Sequence, residues 1–308
     1  MGKVVAVIVT YNRKKLLEEC LEAVLAQTMP VNKIVLIDNA STDGTSQLFE
    51  ENGKYNRPEI DYHKMETNLG GSGGFYEGMK LCRNQDFDWV WIMDDDTIPE
   101  RECLERLLHS KKIIGEKIGF LASYIKGPNG EAMNVPEVDM SPSENGYSFW
   151  YKYLAEKCVR ISTATFVSIL VNSQAIKKCG LPCKDYFIWG DDAEYTKRIT
   201  THYGSGYFVG DSVAVHKRFN AKKINIFLEE DPKRLKIFEY YFRNTTINVG
   251  VFYGKKRMRK LIIHNFKLAL LRFLKRDFLR AKIIAKGTFK SIKEFGKFKD
   301  YINSQIEG

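Results

Sequence analysis

Trp89-Val90-Trp91-Ile92-Met93 runs without a polar interruption into Asp94-Asp95-Asp96. Five large apolar residues in a row read as a strand buried on both faces. The three carboxylates then mark its carboxyl end. The same grammar recurs upstream. Val4–Val9 is apolar and mostly β-branched, followed by Thr10-Tyr11-Asn12-Arg13 and an amphipathic stretch from Leu16 to Ala26. Lys33–Ile37 ends in Asp38-Asn39-Ala40-Ser41-Thr42-Asp43-Gly44, with a helix expected over Thr45–Glu51. Asp61–Lys64 reads as a short third strand, and Phe75–Asn84 as a helix opened by the glycines before it. Strands alternating with helices predict an α/β fold, with a mainly parallel central sheet covered on both faces. In such sheets ligands bind beyond the carboxyl ends of the strands. The polar clusters at Thr10–Arg13, Asp38–Ser41, Asn68–Gly74 and Asp94–Asp96 should therefore meet in one crevice.

Downstream, Gly127–Gly146 is rich in Pro, Gly, Asn and Ser and reads as a loop insertion. Val159–Val171 returns to strand character. A helix is expected from Asp191 to just before Gly204, a strand over Gly206–His216, and a helical tail from Pro232.

Three adjacent carboxylates repel one another, and a hard divalent cation, Mg²⁺ or Mn²⁺, would relieve the repulsion. Extended backbone puts Asp94 and Asp96 on one side and Asp95 on the other. An acidic loop or a helix cap is the plainer explanation, but the buried strand in front favours a site. His216, ending its strand, is a candidate third ligand. The segment Asn68-Leu69-Gly70-Gly71-Ser72-Gly73-Gly74-Phe75 lets backbone N–H groups approach an anion at a helix start. It lacks the Gly-Lys-Ser/Thr ending of a P-loop and the spacing of a dinucleotide fingerprint. Trp189-Gly190-Asp191-Asp192-Ala193-Glu194-Tyr195 sets two carboxylates at a helix start. There the dipole should keep them ionised, ready to accept a proton from an attacking hydroxyl.

Charge divides the 308 residues in two. Residues 255–308 carry 16 Lys or Arg against 4 Asp or Glu, while the preceding 254 carry 32 against 34. Six cysteines without CxxC spacing read as reduced thiols. Val4–Val9 is too short for a signal sequence, Ala6 breaks a myristoylation motif, and no window of 18 uncharged apolar residues exists.

Taken in order, these clusters resemble family-two inverting glycosyltransferases of the GT-A fold, especially the bacterial galactofuranosyl- and rhamnosyltransferases. The resemblance spans roughly residues 4–250 and rests on Val7–Arg13, Asp38–Gly44, Asn68–Phe75, Asp94–Asp96, Trp189–Glu194, His216 and Tyr240-Tyr241-Phe242-Arg243-Asn244. It implies a glycosyltransferase domain over 1–250, with a nucleotide-binding half (1–120) and an acceptor half (121–250), followed by a basic helical segment (251–308). By the resemblance, Thr10, Arg13, Asp38, Asn68, Gly70, Gly71, Asp94 and Asp95 would line the donor. Asp94, Asp96 and His216 would hold Mn²⁺ or Mg²⁺. Asp192 would be the base, with Asp191 and Trp189 orienting the acceptor. Related sequences often have the tryptophan directly before the acid pair. Here Gly190 intervenes, which leaves both aspartates open as the base.

The partners so implied are a nucleotide-sugar donor (UDP-galactofuranose favoured, dTDP-rhamnose the alternative) and a glycan or lipid-linked acceptor. The basic tail adds an expected peripheral contact with an anionic membrane, at the cytoplasmic face. Oligomeric state stays open. A sugar-phosphate nucleotidyltransferase should carry its glycine signature right after the first strand, where this chain reads Thr10-Tyr11-Asn12-Arg13. Nucleic-acid binding through Phe266, Phe273, Phe278, Phe289, Phe295 and Phe298 is disfavoured, because these fall largely at helical spacing.

Overall fold

The computed structural model describes residues 2–83, 85–218 and 224–307. The chain opens with β1 (Val4–Thr10), α1 (Lys14–Leu25), β2 (Lys33–Asp38), β3 (Ile60–Lys64), α2 (Gly70–Arg83) and β4 (Trp89–Asp94). It continues through β5 (Thr97–Pro99), α3 (Cys103–Ile113), β6 (Ile118–Lys126), β7 (Glu137–Val138), β8 (Cys158–Thr163) and β9 (Ile169–Asn172). Then follow α4 (Ser173–Cys179), α5 (Asp191–His202), β10 (Ser205–His216), α6 (Pro232–Tyr253), α7 (Lys255–Leu274) and α8 (Phe278–Glu307).

The strands form one sheet in the order β3-β2-β1-β4-β9-β6-β10-β8-β7, with β5 laid against β10. β3, β2, β1 and β4 are mutually parallel, as are β6 and β10. The α/β sheet with flanking helices is thus the one the alternating pattern predicts. Alternation within the apolar runs divides the core. Ala6, Ile8, Trp91 and Met93 pack with Leu17 of α1 and Leu104 of α3, while Val5, Val7, Val90 and Ile92 pack with Met79 of α2 and Ile199 of α5. Each large side chain so buried contributes roughly 1.5–3 kcal/mol.

Three local expectations need correction. Val159–Val171 is two strands: β8 pairs antiparallel with β10, whereas β9 inserts antiparallel between β4 and β6. The break at Ala164–Ser168 lets the chain change partners, with Ser168 at φ +53°. The helix expected over Thr45–Glu51 is only a 3₁₀ turn at Ser46–Leu48. The Leu48 carbonyl, which a longer helix would need, is taken by the Tyr55 N–H at 2.8 Å. The glycine-rich segment does not precede α2 but forms its first turns. Asn84, the expected end of that helix, lies outside the described residues.

The three last helices form their own layer, with Leu235, Phe238 and Phe242 of α6 against Ala269 of α7 and Ile283 and Ile284 of α8. The division expected at residue 250 falls inside α6. Of the tail phenylalanines, Phe298 is buried, whereas Phe266, Phe273, Phe278 and Phe289 are exposed. All six cysteines are buried and free. No helix among the described residues is long and apolar enough to cross a membrane.

Candidate active site

β1, β4 and β10 end at the same place and deliver the first cluster. Thr10 Oγ1 donates to Asp95 Oδ2 at 2.7 Å, and Arg13, just before α1, bridges Asp95 Oδ1 at 3.1 Å and Asp96 Oδ2 at 2.7 Å. Asp95 and Asp96 are thereby tied to one guanidinium. β5 pairs His216 with Thr97, which sets the imidazole beside Asp96. Ligand atoms of Asp94, Asp96 and His216 all lie within 4.8 Å of one another.

His216 Nδ1 sits 2.8 Å from Asn134 Oδ1 and donates to it, which turns Nε2 towards Asp96 Oδ1 at 3.0 Å. With the ring protonated that contact is an ion pair; with the ring neutral and Nδ1 donating, Asp96 Oδ1 is buried without a donor. A lone-pair nitrogen facing an undonated carboxylate oxygen is the arrangement a cation completes, with Asn134 as the outer partner that orients the ring. Burial, reinforced by Asp96 and Asp95, pushes Asp94 well above the ordinary carboxylate range. Burial also raises Asp95, to about 6, against the pull of Arg13. Burial raises Asp96 too, but His216 and Arg13 outweigh it and hold Asp96 below the usual value. Two carboxylates and one imidazole therefore suit a hard divalent ion.

The second cluster lies at the ends of β2 and α2. Asp38 is fully buried; Oδ1 accepts from the Ser41 N–H at 2.8 Å and Oδ2 from the Tyr62 hydroxyl at 2.6 Å. Asn68 Oδ1 accepts from the Gly70 N–H at 2.7 Å, and Asn39 Nδ2 donates to the Gly70 carbonyl at 3.0 Å. The glycines serve different ends. Gly70 has φ +72°, and a Cβ there would run into the Phe187 carbonyl. Cβ atoms at Gly74 and Gly78 would sit 2.5 Å from Val9 and Val7, so these two let α2 lie close on β1. Only Gly71, of the two glycines assigned to the donor, has open space around its Cα.

The third cluster starts α5. Phe187, Trp189 and Gly190 have φ of +66°, +61° and +93°, so the turn leading into Asp191 and Asp192 has positive φ at three positions. α6 holds this run in place. Asn244 Nδ2 donates to the carbonyls of Tyr186, Ile188 and Trp189 at 3.0, 3.1 and 2.7 Å. Arg243 reaches the Asp185 carbonyl at 2.8 Å, and Asn248 the Gly190 carbonyl at 2.8 Å. The Trp189 ring packs on Phe238 at 4.9 Å between centroids.

Burial raises Asp191 to about 7, with Asp192 adding to the effect, and raises Asp192 to about 6. The helix dipole favours the ionised forms and burial opposes it, so both carboxyls sit above the ordinary value while Asp192 stays mostly ionised near pH 7. Asp192 is the more exposed of the pair, with Oδ1 accepting from the Ala193 N–H at 2.7 Å.

Tyr62, Asn134 and Asn244 were not singled out as site residues from the sequence. Tyr62 and Asn134 carry no local signal. Asn244 lay inside the quoted Tyr240–Asn244 motif, without a role.

Residues 5–143 match the model of the family described as glycosyl transferase family 2. A galactofuranosyltransferase of Mycolicibacterium smegmatis is 36% identical over 96 residues, which are 31% of this chain and 30% of that protein. A glycosyltransferase of Haloferax volcanii is 26% identical over 216 residues, covering 68% of this chain and 65% of its own length. The chain thus spans under two thirds of either relative. Among solved structures, GalNAc-T7 with UDP, GalNAc and Mn²⁺ superposes with a TM-score of 0.62 over 99% of this chain and 57% of that one. At 15% identity that likeness is one of fold.

Proposed function

For this chain, which belongs to the family-two glycosyltransferases, we propose single-displacement transfer of a sugar from a nucleoside diphosphate to an acceptor hydroxyl, with inversion. The observation that carries the proposal is the Asp94/Asp96/His216 set at the strand ends, with Asp191 of the acid pair near enough for its charge to raise Asp94. Asp94, Asp96 and His216 would hold Mn²⁺ or Mg²⁺. A bound ion would supply positive charge opposite the diphosphate. Mn²⁺ with UDP in the GalNAc-T7 structure supports that choice.

Arg13 fixes the direction of Asp95 and Asp96 through its two ion pairs. Asp38, buried and bonded to Tyr62 and the Ser41 N–H, would reach the base or ribose by exchanging one of those partners, while Thr10, Asn68, Gly70 and Gly71 would line the donor. Asp192 is the better base. It is more accessible than Asp191, and near pH 7 it is mostly ionised yet basic enough to take a hydroxyl proton. Asp191 and Trp189 then orient the acceptor. Galactofuranose from UDP is the favoured donor, supported by the Mycolicibacterium relative. An abequosyltransferase relative of Salmonella typhimurium, 38% identical over 92 residues, keeps a deoxyhexose donor such as dTDP-rhamnose as the second reading.

The test is a donor screen that follows nucleotide release from UDP- and dTDP-sugars with Mn²⁺ or Mg²⁺. Release from none of them, with and without saccharide acceptors, would overturn the proposal.

A further inference from the structure

Helix α7 turns Met258, Asn265 and Ala269 inward, with Leu268 partly buried beside them. Its outward face carries Ile263, Phe266, Leu270, Phe273 and Leu274, each between 39% and 69% exposed. Their spacing by three and four places them on one stripe. Beyond the elbow at Lys275–Asp277, where Arg276 takes φ +60°, Phe278 extends the stripe; its ring meets that of Phe273 edge-on at 5.2 Å. Nothing in the described chain covers this surface.

The charge around it narrows the choice of occupant. Residues 255–280 hold ten Lys or Arg and a single acid, Asp277. A second copy docked face to face would bring two such cationic borders together. An anionic bilayer satisfies the apolar stripe and the cations at once.

We propose that the α7–α8 elbow is an interfacial docking surface for an anionic lipid bilayer. The stripe enters the headgroup–acyl boundary, and the flanking cations engage lipid phosphates. The elbow is tied rigidly to the catalytic side. Arg280 Nε donates to the Ile226 carbonyl at 2.8 Å, and the Arg272 guanidinium lies 4.0 Å from the centre of the Phe227 ring. Ile226 and Phe227 join the cluster of Phe238 and Trp189. A docked elbow therefore holds the acid pair at a fixed height above the bilayer. The consequence, which rests on the proposed transferase reading, is an acceptor presented from that same bilayer.

The experiment is co-sedimentation of the full chain with vesicles of phosphatidylcholine, with and without phosphatidylserine. It is repeated for Phe273→Ser/Leu274→Ser/Phe278→Ser, whose sites are exposed and whose fold is checked by thermal melting. We expect the unaltered chain to bind only the anionic vesicles, and the triple variant to bind about tenfold or more weakly with an unchanged melt. Undiminished binding by the variant, or no anionic binding by the unaltered chain, overturns the proposal. So does a dimer, seen by light scattering, that the triple variant dissolves. Sugar transfer is not measured, so failure here is separate from failure of the catalytic reading.

Discussion

Asn244 Nδ2, midway along α6, donates to the Trp189 carbonyl at 2.7 Å, two residues ahead of Asp191. The same amide holds the Tyr186 and Ile188 carbonyls, so one side chain from the helical layer fixes a turn with three left-handed residues. Such backbone costs of order 1–3 kcal/mol at each non-glycine position and persists only when its surroundings hold it.

Asn244→Ala should therefore lower kcat about tenfold or more, with KM nearly unchanged, because the acid pair loses its aim. The stranded carbonyls should also lower stability by about 1–3 kcal/mol. Steady-state kinetics beside a thermal melt would check this. A lower melting temperature with an unaltered kcat would reduce Asn244 to a stabilising role.

The acid pair sets a pH dependence. With Asp192 at about 6 and Asp191 at about 7, activity should rise with pH through 6–7 as the base ionises. A kcat–pH profile checks it, and Asp192→Asn should cost about 10²–10⁴ in kcat. If Asp191→Asn has that effect instead, the roles exchange.

Stability should move the opposite way. A carboxyl whose folded pKa is raised from the ordinary 3.8 to about 7 takes up protons on folding between those values. Its contribution is full below about pH 4 and lost as pH rises through 7. Asp191→Asn should thus raise the melting temperature at pH 8 and have little effect at pH 4, while impairing turnover. Melts at the two pH values would decide.

Mn²⁺ should raise the melting temperature of the unaltered chain, and Asp96→Ala should abolish the rise. Asn134→Ala, which frees the His216 ring, should weaken the ion about 10–100-fold, the usual worth of an outer partner. Titration calorimetry measures both. Equal Mn²⁺ affinity in all three chains would remove the ion from this cluster.

The glycine-rich segment should respond position by position. Gly71→Ala meets open space and should be tolerated, whereas Gly70→Ala combines φ +72° with a clash at the Phe187 carbonyl. Loss of stability should be confined to the second, and chemical denaturation would show it.

The order of elements, the buried strands and the polar strand ends were legible in the sequence because they depend on neighbours along the chain. Trp89–Met93 is apolar whatever it packs against, and Asp94–Asp96 follows it in any fold. What depends on distant partners was not legible. β9 runs antiparallel in the middle of the sheet, paired with β4 and β6 from distant parts of the chain. Gly74 and Gly78 answer to Val9 and Val7, so a segment that reads as an anion loop is largely a packing surface. The raised carboxyls of Asp191 and Asp192 were not legible for the same reason: the helix dipole is local and visible in sequence, whereas desolvation is set by tertiary packing. The chain's own pattern marked the candidate residues; only tertiary packing set the burial around them and placed Asn134 against His216 and Asn244 against the Trp189 turn.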